Sequence, residues 1–236
     1  MHALDPAAAR TVVPRAAATT LVLRDGASGP EVLMVKRSPL ASFMPGAYVF
    51  PGGAVDAADA QAIGDEPRAA LVERLGHITG VGERVAAYAA AALRECREES
   101  NLDLGSTRAL HAWSRWVTPL GVPKRFDTVF FVARAPAGQV ARPDAGETVT
   151  LEWVAPHAAL GAHAVGSFQM EFATVATMRS LLPFAARGVD AVVEHAIALS
   201  PLRPVHPRLR LDAARRVTGI LVPGESGYDA LDGDGP

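Results

Sequence analysis

The chain has 236 residues, 49% of them hydrophobic and 20% charged, which is enough apolar material to bury a core and excludes global disorder. Its formal net charge of −2 argues against a general nucleic-acid binder, which would carry a basic stripe, and leaves a locally bound nucleotide open. The single cysteine, Cys96, excludes an intrachain disulfide and fits a reducing compartment, taken here as the cytoplasm.

Residues 1–17 read as an N-terminal arm. Met1 to Arg15 is Ala-rich, holds Asp5, Pro6 and Pro14, and lacks a basic start followed by an apolar run, so no secretory leader is predicted. No charge-free apolar stretch of about 18 residues occurs, so no membrane span is predicted. Ala18 to Leu23 and Glu31 to Lys36 read as paired strands around the turn signals Asp25-Gly26 and Gly29-Pro30. Ser38 to Gly46 is a loop, and Ala47 to Phe50 a short strand ending at Pro51-Gly52-Gly53. Pro67 suits the first turn of a short helix ending near Gly76.

Glu83 to Ser100 is an Ala-rich helix that Asn101 can stop by adopting a left-handed conformation. Trp113–Thr118, Thr128–Arg134 and Thr148–Val154 read as three further strands. Pro156 to Leu199 is helical by pattern, interrupted around Pro183 and Gly188. Prolines 201, 204 and 207 and a Gly/Asp-rich end predict an extended, partly disordered tail. Mixed strands with helices on both sides, and no regular strand–helix alternation, predict an α/β sandwich with a mixed sheet rather than a doubly wound one. The expected organisation is a core domain at 18–160 with an insertion at 60–82, a helical extension at 161–200 and a tail at 201–236.

Two features carry chemistry. Glu95, Glu98 and Glu99, at i, i+3 and i+4, share one helix face across an arc of about 100°. Like charges at this spacing repel by about 0.2–0.5 kcal/mol per pair, a cost that a divalent cation would turn into a site; hard oxygen ligands suit Mg²⁺ or Mn²⁺. A solvated acidic face balanced by Arg94 and Arg97 explains the same residues equally well. The second feature is Phe50-Pro51-Gly52-Gly53, where two glycines let backbone approach a ligand or metal closely.

Together these segments resemble the Nudix box: Gly, five residues, Glu, seven residues, Arg-Glu, an aliphatic residue, any residue, Glu-Glu, any residue, Gly, aliphatic. Gly53 opens it, and Arg94-Glu95-Cys96-Arg97-Glu98-Glu99-Ser100-Asn101-Leu102 closes it. Asp59 stands at the first Glu, Asn101 at the last Gly, and residues 60–93, 34 in number, replace seven, so that 27 extra residues split the box. A split box resembles the peroxisomal coenzyme A diphosphatases and their bacterial relatives. So does the run Arg37-Ser38 through Gly46 to Phe50-Pro51-Gly52-Gly53, although Ser42 replaces that branch's second Arg. Arg125-Phe126-Asp127-Thr128-Val129-Phe130-Phe131 and Glu152-Trp153-Val154 are similar as well, so the resemblance spans roughly residues 18–160.

The resemblance implies a Nudix α/β/α sandwich and metal-dependent hydrolysis of a diphosphate linkage. It implies Glu98 and Glu99 as ligands of Mg²⁺ or Mn²⁺, joined by Glu95 and the Gly53 carbonyl, with Arg94 orienting the carboxylates. The general base is left among Glu98, Glu95 and Glu147, the last of which reads more readily as an exposed loop acid. Arg37, Ser38, Gly52, Arg125 and Asp127 are assigned to substrate; for Arg37 the alternative is a surface charge on an edge strand. Cys96 occupies an aliphatic slot and reads as a small core residue.

No Walker P-loop and no Gly-x-Ser-x-Gly elbow occurs, and Gly80-Val81-Gly82 lacks the third glycine of a dinucleotide fingerprint. The implied substrate is coenzyme A or an acyl-coenzyme A, giving 3′,5′-ADP and (acyl-)4′-phosphopantetheine. Dinucleotides, nucleotide sugars or oxidised nucleotides are the alternative, and a non-catalytic nucleotide-binding module is a third reading. The expected partner is a small-molecule nucleotide, not nucleic acid or membrane. For the insertion, a lid, a contact within a homodimer and a passive excursion are all open.

Overall fold

An unbroken buried run from Ala17 to Leu23, covered on both faces, forms the strand on which everything else is built. In the computed structural model, which describes residues 12–40, 44–62, 66–143, 148–214 and 216–231, strand β1 runs Arg15–Gly26 and turns at Ala27-Ser28 into β2, Gly29–Arg37. Gly29 has φ +107°, and a Cβ there would strike the Ala185 carbonyl, so this position packs against the turn at Ala185 only as glycine.

β1 pairs with β2 only over its last residues, Leu23 to Gly26. β2 then diverges and pairs with β7 (Thr148–Val154) and with β3 (Tyr48–Val49). The space left beside β1 is taken by β4 (Gly52–Ala54), so the chain crosses from one strand's neighbour to the other's at Phe50-Pro51. On its far edge β1 runs parallel to β6 (Phe126–Arg134), followed by antiparallel β5 (His111–Val117) and parallel β8 (Pro204–Val205). The sheet is mixed and lies between helices, as expected.

Period-two alternation sends β1 and β6 side chains to two cores. Ala18, Val129 and Phe131 meet helices α1 (Arg68–Leu75) and α2 (Val85–Ser100) through Leu71, Leu75, Tyr88, Ala89 and Ala92. Leu21, Leu23, Phe130 and Val132 meet α4 (Phe172–Leu181) and α5 (Gly188–Ala198) through Met178, Leu181, Val189 and Val192, with α3 (Pro156–Ala164) at the margin through Ala159.

Three expectations are corrected in detail. β1 begins at Arg15, within the expected arm, whose residues 1–11 lie outside the described residues. The helices from 156 onward are not a separate extension, since they close the second core, and they break at 165–171 as well as at Pro183. The tail is built into strands: β8 joins the sheet, and β9 (Arg208–Leu211) pairs with β10 (Val217–Leu221). Pro204 is tolerated because β8 is an edge strand.

The insertion is clamped. Arg74 donates to both carboxylate oxygens of buried Glu66 (3.2 and 2.8 Å) and to the carbonyls of Thr107 and Leu110, while Ile78 bridges to Leu202. Among the described residues, no helix is long and apolar enough to cross a membrane.

Candidate active site

Helix α2 carries Glu98 and Glu99 in its last turn, where the helix dipole disfavours negative charge by about 0.3–1 kcal/mol each. Asn101 ends it at φ +56°, donating its amide to the Arg97 carbonyl. Helix stability alone does not favour this arrangement; Arg94 compensates for it.

All five N–H donors of Arg94 are used. Nε and Nη2 take both oxygens of Asp59 (3.0 and 2.9 Å), Nη1 takes Glu95 (2.8 Å) and Glu98 (3.0 Å), and Nη2 also reaches the Ala54 carbonyl (3.0 Å). These bonds, to Asp59 above all, raise the guanidinium's pKa and keep it protonated. Asp59 is only 4% exposed; burial pushes its carboxyl up, but Arg94 and the Asp56 amide outweigh this and hold it below its usual value. Glu95 is shifted the other way. Its burial raises it, Arg94 counters, and the nearby Glu98 and Asp56 charges add to the rise.

The glycines of the Phe-Pro-Gly-Gly turn have different jobs. A Cβ on Gly53 would lie 2.6 Å from the Glu95 carboxyl carbon, so only glycine lets β4 rest against that carboxylate. A Cβ on Gly52 would lie 2.5 Å from the Ala18 carbonyl oxygen and 2.6 Å from Thr19 Cα, so Gly52 is required by β1 itself. The Gly52 amide donates to buried Glu99 (2.9 Å). Thr19 fixes the turn, its hydroxyl donating to the carbonyls of Phe50 (3.2 Å) and Pro51 (2.8 Å).

Four carboxylates (Asp56, Asp59, Glu95, Glu98) face two guanidiniums (Arg15, Arg94), an excess of two negative charges. Among the described residues no three His, Cys, Asp or Glu side chains converge as a finished ligand cage. The reason is visible, since Arg94 Nη1 lies between Glu95 and Glu98 and Glu99 is turned to the Gly52 amide. In kind the set fits a divalent cation: hard oxygens, a twofold charge excess and a cradle at Gly53 that a Cβ would fill.

The NUDIX domain family model matches residues 13–172. The chain belongs to the NUDIX family. It is 34% identical over 121 residues to a Caenorhabditis elegans protein provisionally named nudix hydrolase 7, covering 43% of this chain and 38% of that one. It is 28% identical over 204 residues to the human acyl-coenzyme A diphosphatase NUDT19, covering 55% of this chain and 54% of that one. The chain thus spans about half or less of the curated relatives it matches. A NUDIX hydrolase structure from Alicyclobacillus acidocaldarius shares the fold, with a TM-score of 0.64 and 24% identity over 81% of this chain and 99% of that one.

Of the residues singled out in the sequence, Gly52, Gly53, Arg94, Glu95, Glu98 and Glu99 lie together, where the C-terminal part of α2 meets β4. Arg37 ends β2, and its amide donates to the Ala47 carbonyl (3.0 Å), beside the loop entering the turn; the Ser38 hydroxyl accepts from the Leu40 amide (3.2 Å) within that loop. Ser42 and Glu147 lie outside the described residues.

Arg125 and Asp127 are placed elsewhere. Arg125 is buried and donates to the carbonyls of Thr118 (3.0 Å) and Val12 (2.9 Å). Asp127 accepts two bonds from Arg115 (2.7 Å each), and Tyr88 Oη lies 3.5 Å away. Tyr88 is seven residues before Glu95, about 10 Å along α2. Both residues therefore frame the sheet end rather than join the carboxylates. Asp59 and Asp56 were missed as site residues, although position 59 is the box's first acid. Burial pushes the Cys96 thiol up to about 11, in keeping with a small core residue.

Proposed function

We propose that the chain hydrolyses the diphosphate bond of a nucleoside-diphosphate-linked substrate, with coenzyme A or an acyl-coenzyme A favoured and 3′,5′-ADP and (acyl-)4′-phosphopantetheine as products. The observation that carries this is the carboxylate set gathered by Arg94 against the Gly52–Gly53 edge. Similarity to an acyl-coenzyme A diphosphatase supports the substrate.

Glu95, Glu98, Glu99 and the Gly53 carbonyl would hold Mg²⁺ or Mn²⁺. When bound, the ion supplies positive charge to the diphosphate and an acidified water. Glu98, whose side chain is 58% exposed, is assigned as general base, with Glu95 and Glu147 as the other candidates. Arg94, locked by Asp59, sets the carboxylate positions. Arg37, Ser38 and the Gly52 backbone are assigned to the phosphate side, with Arg125 and Asp127 shaping the sheet end. The cytoplasm is the proposed location, on the single cysteine.

The test is mass spectrometry of products formed with Mg²⁺ or Mn²⁺ from coenzyme A, acetyl-coenzyme A, NADH, ADP-ribose, diadenosine polyphosphates and nucleotide sugars. Metal-dependent 3′,5′-ADP, reduced at least about 100-fold in Glu98→Gln, is the expected result. Full activity in Glu98→Gln would refute the site assignment. Cleavage of another substrate would keep the mechanism and favour the second reading, which Ser42 in place of the branch's arginine already motivates.

A further inference from the structure

The sheet face turned away from α2 carries a row of residues outside the carboxylate cluster. Trp116 on β5 lies opposite Thr128 on β6, Thr128 beside Ala17 on β1, and Ala17 opposite Ala54 on β4. Ala17 and Thr128 are even steps from Leu21 and Phe130, so the row shares their face, and Trp116 packs against the same core. Three strand spacings of about 4.8 Å put Trp116 roughly 14 Å from Ala54.

The two ends differ in character. At one end the Ala54 carbonyl accepts from Arg94, next to Gly53, so the row starts at the carboxylate cluster. At the other, Trp116 meets Phe172, the first residue of α4, edge to face with ring centroids 5.9 Å apart, both rings partly exposed. The paired positions between these ends are Thr128 and Ala17, and Ala17 is buried. Arg15, two residues before Ala17 on the same face, is 62% exposed and already pairs with Asp56 of the carboxylate cluster (3.0 Å).

We propose that this row is a trench for the nucleotide half of the substrate, with the base on Trp116 and Phe172. The inference rests on the hydrolase reading above and adds to it a contact that binds the base. Its length suits an extended nucleoside monophosphate whose phosphate end reaches the carboxylates. Trp116 Nε1 donates to Ser114 Oγ (3.1 Å), which fixes the ring's orientation. What Trp116 offers a ligand is therefore its π surface, and stacking on such a surface accepts any base.

The experiment is calorimetric titration of the full chain with AMP, and separately with 4′-phosphopantetheine, for wild type, Trp116→Ala, Trp116→Phe and Phe172→Leu. Kinetics on the best substrate of the panel accompany it. AMP affinity is expected to fall roughly ten-fold or more in Trp116→Ala and to be largely restored in Trp116→Phe, since one base–aromatic stack is lost and regained. Phosphopantetheine affinity stays unchanged, and KM rises without a matching fall in kcat. Phe172→Leu moves AMP affinity in the same direction and supplies the reading if Trp116→Ala does not fold. Unchanged AMP affinity in the folded variants, or loss of phosphopantetheine binding instead, overturns the proposal. Loss of AMP binding in Trp116→Ala without turnover of any diphosphate by wild type would sink the hydrolase reading and leave the base platform standing.

Discussion

Adding one methyl group at either glycine of the turn should separate fold from chemistry. In Gly52→Ala the new Cβ would sit 2.5 Å from the Ala18 carbonyl oxygen and 2.6 Å from Thr19 Cα, both backbone atoms of the central strand. Neither can move without disturbing the β1–β4 pairing or the Thr19 bonds to Phe50 and Pro51. Overpacking of this kind costs about 1–3 kcal/mol. At about 2–4 °C per kcal/mol for a chain this size, the melting temperature should fall by roughly 2–12 °C. In Gly53→Ala the clash is with the far end of Glu95, 2.6 Å from its carboxyl carbon. That side chain can swing away, giving up its 2.8 Å bond from Arg94, which is partly solvent-exposed. The stability loss should stay near 1 kcal/mol. Displacing a site carboxylate by about 1 Å should still lower turnover about 100-fold. Thermal melts and steady-state rates on the same two preparations test this. Equal melting temperatures for the two variants, or full turnover in Gly53→Ala, would refute the division of labour between the glycines.

Two further predictions follow from the ion pairs. Arg94→Lys keeps the charge but has three donors for a site that uses five, so the bidentate Asp59 contact is lost; allowing for partial exposure, about 2 kcal/mol of stability should go, with activity, as seen in melts and rate assays. A melting temperature within about 1 °C of wild type would count against it. Glu66 tests pH dependence away from the site: Arg74, then Thr107, hold its carboxyl below the ordinary value against the opposing effect of burial. A depressed folded pKa means stability present above the unfolded value of about 4.3 and lost as pH falls through the folded one. The gap in melting temperature between wild type and Glu66→Gln should therefore be constant near neutrality and close below about pH 4; a gap that widens in acid would contradict the assignment.

Helix α2 and its Asn101 stop were legible because alanine propensity and a left-handed cap are local properties. The break at 165–171 was not. Its signal, Gly166 at φ +80°, is a single residue inside an otherwise helical composition. The strands of the tail were hidden by prolines that an edge position tolerates. The parallel β1–β6 pairing joins residues about a hundred positions apart, which no local pattern announces.

The split box shows what the sequence motif actually constrains. Lengthening the interval between Asp59 and Arg94 from seven residues to 34 raises the cost of loop closure by only about 1.4 kcal/mol, because that cost grows with the logarithm of length. The insertion offsets it many times over. Leu71, Leu75 and Ile78 are each at most 4% exposed and pack with α2 in one core, where each buried side chain contributes roughly 1.5–3 kcal/mol. The two ends of the insertion then meet in the bidentate Asp59–Arg94 pair. An acid shorter by one methylene than the motif's glutamate still reaches that guanidinium, since Asp59 lies on its own short 3-10 turn, braced by the Asp56 amide. What the box fixes is therefore an acid that holds Arg94, and an Arg94 that holds the carboxylates; the number of residues in between is free to vary so long as they bury enough to remain folded.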